Sequence, residues 1–355
     1  MADNGIGGVD EPGAAMTARI GIGVVGAGRM GSTHARILAG SVPEARLVAI
    51  ADLNHVAARR LADELGVEAV FGSPEELAVA AGVDAVIVAV SSRHHLDVVR
   101  IAAAAGRHIL CEKPLALTIE ETDAAIAAAQ TTGVRLQVGF MRRWDPDYRQ
   151  ARQRLVDGAL GRPTLFKSLQ FDADPIPDTY RDPTVSGGIM VDMGIHEFDL
   201  ARWLLDEEVA EVHAFGEAVI DEELGRLGDV DNAVVNLRFA GGAVGSVELS
   251  RNAAYGEDVR TEVLGPEGSV FVGLLPLTQG AFAGTGRLAI DTVPTSEPRF
   301  GRALVEQARG FVRAILEDRP IEVGGHESRA ALAIALAARR SLESGRPVAV
   351  PWATG

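Results

Sequence analysis

Two groups of residues have the types and spacing to take the hydroxyl proton from an alcohol as its hydride leaves. The first is Glu112-Lys113-Pro114. Proline fixes its own φ and biases the residue before it towards an extended backbone, so the Lys113 ammonium has a defined direction. A lysine beside a carbinol can hydrogen-bond the hydroxyl and stabilise a developing alkoxide. A surface lysine is the other reading of the tripeptide taken alone. The second group is Asp192-x-x-x-His196, with Asp199 three residues further on. Residues four apart share a helix face, and a carboxylate beside an imidazole fixes its tautomer and stabilises the imidazolium. Alcohol oxidation needs such a base, because the hydroxyl proton must leave as the hydride departs. An ordinary helix-surface Asp–His pair has the same spacing.

The hydride needs an acceptor, and one stretch reads as its holder. Gly26, Gly28 and Gly31 form G-x-G-x-x-G after the apolar run Ile20 to Val25 and before a helical segment, Ser32 to Leu38. That pattern suits a tight strand-to-helix turn whose free N–H groups face a pyrophosphate. The next apolar run, Ala45 to Ala51, ends at Asp52, about twenty residues past the glycines, where an acid can accept hydrogen bonds from ribose hydroxyls. It would repel a 2′-phosphate, so NAD is expected over NADP. Capping the helix that begins near Asn54 is the alternative role for Asp52. Arg29 and Met30, inside the turn, join the cofactor candidates. So do Ser91, His95 and Glu112, which follow the ends of later strands, where open parallel sheets bind ligands. For His95 a plain helix-start role is equally open.

These groups need elements to position them. Strands and helices alternate from Arg19 to about Gly139, as in a doubly wound parallel sheet: a Rossmann domain over residues 18–140. Asp84 to Val90 reads as a strand buried on both faces. A substrate-binding and oligomerisation domain over residues 141–355 follows, α+β in character. Its strands are expected at Thr164–Phe171, Val209–Val219, Asn232–Phe239, Val244–Leu249 and Arg260–Leu264, in a large, mainly antiparallel, open-faced sheet. Helices are expected from Ser186 through Leu205, over Ala303–Leu316 and over Ser328–Leu342. Residues 1–17, rich in Gly, Ala and acids, read as a disordered tail without the features of a signal peptide.

The whole-chain numbers exclude several classes. The formal charge of −15 argues against nucleic acid and anionic membrane partners and favours a neutral substrate over a phosphorylated one. No apolar run approaches a membrane span. Cys111 is the single cysteine, so there is no intrachain disulfide and a reducing cytoplasm is expected. No second His or Cys sits at ligand spacing, so no metal is expected.

Taken together and in order, the glycine turn, Glu112-Lys113-Pro114 and Asp192-x-x-x-His196 resemble the glucose–fructose oxidoreductase and inositol dehydrogenase (Gfo/Idh/MocA) family, nearly throughout from Arg19 on. The resemblance implies that Lys113 orients the hydroxyl, His196 is general base and Asp192 supports His196. Within the family the nearest look is to inositol 2-dehydrogenases. Gly139-Phe140-Met141-Arg142-Arg143-Trp144-Asp145 and Ser250-Arg251-x-x-x-Tyr255-Gly256 carry it. That implies NAD-dependent oxidation of myo-inositol at a secondary hydroxyl, polyol contacts from Arg142, Asp174 and Tyr255, and a homo-oligomer, dimer or homotetramer. Other inositol isomers or sugars, a glycosidase that keeps NAD bound, and a non-catalytic NAD-binding sensor are the rival functions. Two departures stand out. The family's Y-G-Y-D-Q-R reads Tyr255-Gly256-Glu257-Asp258-Val259-Arg260 here, near the expected polyol wall. Ser92 stands where the family usually has proline, in the cofactor loop.

Overall fold

A computed structural model describes residues 19–273 and 276–352 of the chain. The expected N-terminal tail lies outside the described residues. The first half alternates: β1 (Ile20–Val25), α1 (Arg29–Gly40), β2 (Ala45–Ala51), α2 (His55–Leu65), β3 (Ala69–Phe71), α3 (Pro74–Ala78), β4 (Ala85–Val88), α4 (His95–Ala104), β5 (His108–Cys111), α5 (Ile119–Thr132) and β6 (Leu136–Val138). The strands form one parallel sheet in the order β3-β2-β1-β4-β5-β6. Strand order reverses between β1 and β4, and such a switch point opens a ligand crevice at the strands' C-terminal ends. β1 and β4 are almost wholly buried, which explains their unbroken apolar sequence.

The second half runs α6 (Pro146–Val156), β7 (Leu165–Phe171), α7 (Pro183–Ser186), α8 (Gly188–Asp192), α9 (Gly194–Leu205), β8 (Val209–Glu217), α10 (Glu222–Arg226), β9 (Asn232–Phe239), β10 (Val244–Ser250), β11 (Asp258–Gly265) and β12 (Gly268–Val272). It continues with a hairpin, β13 (Pro276–Gly284) and β14 (Arg287–Thr292), then α11 (Ser296–Leu316), α12 (Gly325–Ser344) and β15 (Val348–Ala349). Seven strands form a sheet in the order β12-β11-β7-β10-β9-β8-β15, antiparallel except for the β7–β10 pair. Inward residues such as Val235, Leu237, Val247 and Leu249 are buried. Phe215, Val234, Val244 and Phe271 stand exposed on the other face. That alternation gives a sheet with one covered and one open side.

The long C-terminal helices tie the halves together. Ala308, Phe311 and Val312 of α11 share a buried cluster with Ile22, Val24 and Ile50 of the parallel sheet. α11 begins at Ser296, earlier than the expected Ala303, because its apolar stripe extends back to Phe300. The helix expected from Ser186 through Leu205 is in fact three, α7 to α9, broken at Gly187 and Met193. Among the described residues no helix is long and apolar enough to cross a membrane.

Candidate active site

The glycine turn is built as its spacing requires. Gly26 has φ +104°, and a side chain there would run into the Ala89 carbonyl; one at Gly31 would strike the carbonyl of Gly26. At Gly28, by contrast, a Cβ would meet no atom within 4 Å, so the first turn of α1 faces open space. Arg29 is exposed and Met30 half-buried at the mouth of that space. Asp52 sits at the end of β2, where Oδ2 accepts from Ala27 N at 2.6 Å and Oδ1 from Asn54 N at 2.7 Å. The side-chain cap of α2 is Asn54, which accepts from Ala57 N. Asp52 thus ties the turn to β2. The Ser91 hydroxyl, beyond β4, is buried without a partner, an orphaned group of the kind a bound molecule satisfies. An open helix start, an orphaned hydroxyl and a carboxylate at the strand end fit a dinucleotide.

Two cofactor candidates have partners within the protein. His95 is wholly buried, with Nδ1 2.7 Å from the Pro114 carbonyl and Nε2 3.1 Å from that of Val90. Burial pushes its pKa down, so the ring is neutral and fastens the β4 and β5 loops together; it is not open to a ligand. Glu112 is also buried, with Oε1 2.6 Å from Nε2 of His34 on α1. Burial would raise its carboxyl, but the His34 hydrogen bond and the Lys113 charge outweigh burial and hold it below the usual range. It supports the turn from beneath.

Lys113 and Asp192 meet. Lys113 Nζ donates to the Asp192 carbonyl at 2.5 Å and stands 3.4 Å from Oδ1. Asp192 Oδ2 accepts from Arg251 Nη1 at 3.1 Å, and Arg251 Nη2 lies 3.8 Å from Asp229. Burial alone would raise the Asp192 carboxyl; Lys113 and Arg251 override it and keep it ionised. His196 is buried too, edge-on to Phe140 with ring centroids 6.0 Å apart. Desolvation, helped by the charges of Lys113 and Arg142, drives its pKa well below 6.5. Its Nδ1 is buried without a partner. Among the described residues neither Asp192, expected to support His196, nor Asp199 hydrogen-bonds the His196 ring. Asp192 is held by Lys113 and Arg251, and Asp199 makes a two-pronged pair with Arg143 at 2.7 and 2.8 Å.

The expected polyol contacts are rearranged as well. Arg142 is buried, bonded to Glu197 and, at 2.7 Å, to Gln170 Oε1. Glu197 also accepts from Ser168 on β7. Arg142 therefore locks α9, which carries His196, instead of presenting its fork to a ligand. Tyr255 is 47% exposed, and its hydroxyl donates to Asp258 at 2.9 Å; burial and the Asp258 charge push the phenol up to about 12. Asp174 lies exposed beyond β7. Sequence reasoning does not name Arg251, Asp229, Asp172 or Glu257 as site residues; the signals for them are the family-like stretches Asp229-Val230-Asp231 and Ser250-Arg251 and the departure at Glu257.

Residues 20–140 match the model of the oxidoreductase family with an NAD-binding Rossmann fold, and residues 148–271 match the GFO/IDH/MocA C-terminal domain. The chain is 37% identical to the myo-inositol 2-dehydrogenase of Thermotoga maritima, over 92% of this chain and 97% of that one. The chain belongs to the GFO/IDH/MocA family. It is likewise 37% identical to the NAD(+)-dependent scyllo-inositol 2-dehydrogenase of Bacillus subtilis, over 92% of this chain and 94% of that one. A scyllo-inositol dehydrogenase from Lactobacillus casei, solved with NAD(H) and scyllo-inositol, superposes with a TM-score of 0.88 at 29% identity. That match covers 94% of this chain and 99% of the other. As a GFO/IDH/MocA protein the chain is an oxidoreductase with an NAD-binding domain.

Proposed function

We propose that this chain oxidises one secondary hydroxyl of a cyclic polyol, myo-inositol, to the ketone 2-keto-myo-inositol. The observation that carries the reading is the contact of a cation, Lys113, with an ionised Asp192, near enough to the buried neutral imidazole of His196 for the Lys113 charge to depress it. NAD, when bound, supplies the acceptor for the carbinol hydride. Lys113 donates a hydrogen bond to the carbinol oxygen and stabilises the charge that develops there. His196, its ring hydrogen on Nδ1, takes the hydroxyl proton on Nε2. Asp192 anchors Lys113, and Arg251 anchors Asp192. Arg29 and Met30 flank the cofactor turn, and Tyr255 and Asp174 rim the polyol side.

The reading extends to assembly and location. Phe215 and Val234 are directly paired across β8 and β9 on the open face, both exposed. Large apolar side chains side by side favour a covered surface, so the chain forms a homo-oligomer through this sheet. Light scattering that gives only monomer mass overturns that. The chain works in the cytoplasm, where its lone buried Cys111 stays reduced. The deciding assay is NADH absorbance with NAD and myo-, scyllo- and chiro-inositol beside glucose. NADH formation with myo-inositol, weaker with NADP, supports the assignment; silence with every polyol despite NAD binding defeats it.

A further inference from the structure

The ends of three strands converge beside Asp192, the residue that anchors Lys113. Phe171, the last residue of β7, pairs with Ser250 on β10 and with Asp258 on β11. β7 and β10 are parallel and β11 runs against them. The next positions in that row are therefore Asp172, Arg251 and Glu257. Arg251 binds Asp192, so Asp172 and Glu257 continue the wall that Asp192 begins. Asp172 Oδ1 accepts from Gln170 Nε2 at 2.8 Å, and Gln170 in turn accepts from Arg142. Glu257 is 6% exposed, and among the described residues its carboxylate accepts one hydrogen bond, a long one, 3.4 Å, from Ala173 N.

The charges in this corner do not balance. Lys113 and Arg251 are matched by Asp192 and Asp229, and Arg142 by Glu197. The nearby buried carboxylate of Asp258 has Arg260 at 2.8 Å. Among the described residues, no lysine or arginine stands within 4.0 Å of Asp172 or Glu257, so two carboxylates are left over. Burial together with the Asp172 charge pushes the Glu257 carboxyl up to about 7, and burial raises Asp172 too, which is how an unmet cation position registers. The same corner leaves Asn252 Nδ2 and Arg142 Nε as buried donors without acceptors. A hydroxyl oxygen would satisfy the Asn252 amide, and a cation would satisfy the acids. Glu257 is also where this sequence parts from the Y-G-Y-D-Q-R pattern.

We propose that Asp172 and Glu257 form a subsite for a protonated amine on the substrate ring, so the preferred substrate is an amino-bearing cyclitol or sugar, oxidised at a neighbouring hydroxyl. This rests on the dehydrogenase reading and narrows its substrate class. The amine does not react; its ammonium donates to the two carboxylates while the carbinol lies against Lys113 and His196.

The test pairs each polyol with its amine: scyllo-inositol with scyllo-inosamine, and glucose with glucosamine, following NADH. At least one amine is expected to exceed its parent in kcat/KM by about tenfold or more, the scale of a charge-assisted hydrogen bond. In Glu257→Gln and Asp172→Asn that ratio falls towards one. N-acetylglucosamine, which lacks the charge, loses any advantage of glucosamine, and this arm needs no variant to fold. NAD binding by fluorescence confirms that each variant is folded. Turnover of polyols with no amine preference overturns this inference alone. A preference that persists in both variants also overturns it. No NADH from any polyol or amine overturns the dehydrogenase reading, and this inference with it.

Discussion

The Asp192 carbonyl is bonded by Lys113 Nζ at 2.5 Å, where a continuous helix would have given it to the His196 N–H. His196 N instead bonds Met193 O at 3.2 Å, and the helix breaks there into α8 and α9. The break frees a carbonyl for the lysine and so fixes Lys113, from the parallel sheet, against the segment that carries His196. Lys113→Met should lower kcat by on the order of a hundredfold or more, the cost of losing a donor to a developing oxyanion. His196→Asn should lose a similar factor, as a missing general base does. NAD affinity, measured by titration calorimetry, should stay within a few-fold in both. Near-normal turnover in either variant rules out its assigned role.

Arg251 is the second support. Its Nη1 lies 3.1 Å from Asp192 and its Nη2 3.8 Å from Asp229, which accepts from Ile189 N at the start of α8. Arg251→Lys keeps the charge and loses the fork that spans both acids. Its kcat should fall on the order of tenfold to a hundredfold through misplaced Lys113, with KM for NAD little changed. The Asp192 carboxyl, now less well held, moves up, so the acid limb of the kcat–pH profile shifts to higher pH. An unshifted limb would show that Arg251 does not govern Asp192.

The sequence makes the parallel sheet legible because its signals are local: an unbroken apolar strand, a glycine turn, then an acid at the next strand's end. Lys113, Asp192 and His196 are legible as types for the same reason. What the sequence hides is pairing. Asp192 and His196 share helical spacing, yet the helix breaks at Met193 and the acid turns to Lys113, 79 residues away in the chain. Arg142 resembles a ligand contact until Glu197 and Gln170, on other elements, surround it. Burial decides between a contact and a strut, and burial is set by tertiary packing that no short window contains.

Asp52 tests the cofactor side. Each of its oxygens already accepts one backbone N–H, from Ala27 and from Asn54, and a carboxylate oxygen keeps a further lone pair for a ribose hydroxyl. Asp52→Ala should weaken NAD binding by roughly tenfold or more, since it removes the ribose acceptor and loosens the glycine turn. NADP, no longer repelled, should lose less or gain. The measurement is the ratio of kcat/KM with NAD to that with NADP, and an unchanged ratio would set aside the ribose role.

The buried pair of Arg142 and Glu197 tests stability without touching the chemistry directly. Both side chains are almost fully enclosed, and Ser168 and Gln170 each add a bond to the pair. Removing one partner leaves the other charge buried alone, at a cost of roughly 3–5 kcal/mol. Arg142→Met should therefore lower the melting temperature by several degrees. If Arg142 were instead an exposed polyol contact, the melting temperature would hold and KM for the polyol alone would rise.

Glu257 gives stability a defined pH dependence. Its ordinary carboxyl value is 4.5, and burial with the Asp172 charge raises it to about 7 in the folded chain. A raised carboxyl binds its proton more tightly folded than unfolded. Its contribution is therefore complete below about pH 4.5 and is lost as pH rises through about 7. The contribution is at most roughly 3 kcal/mol, and part of it is shared with Asp172. His196 works in the opposite sense: its pKa is depressed, so its contribution to stability grows as pH rises towards its ordinary 6.5 and is complete above it. Comparing wild type with Glu257→Gln removes that complication, because His196 and Asp172 titrate in both. Between pH 5 and pH 8, the variant should lose less melting temperature than wild type, by a few degrees. Parallel melting curves across that range would mean that Glu257 is ionised throughout and that its carboxylate already has a counter-charge in the folded protein.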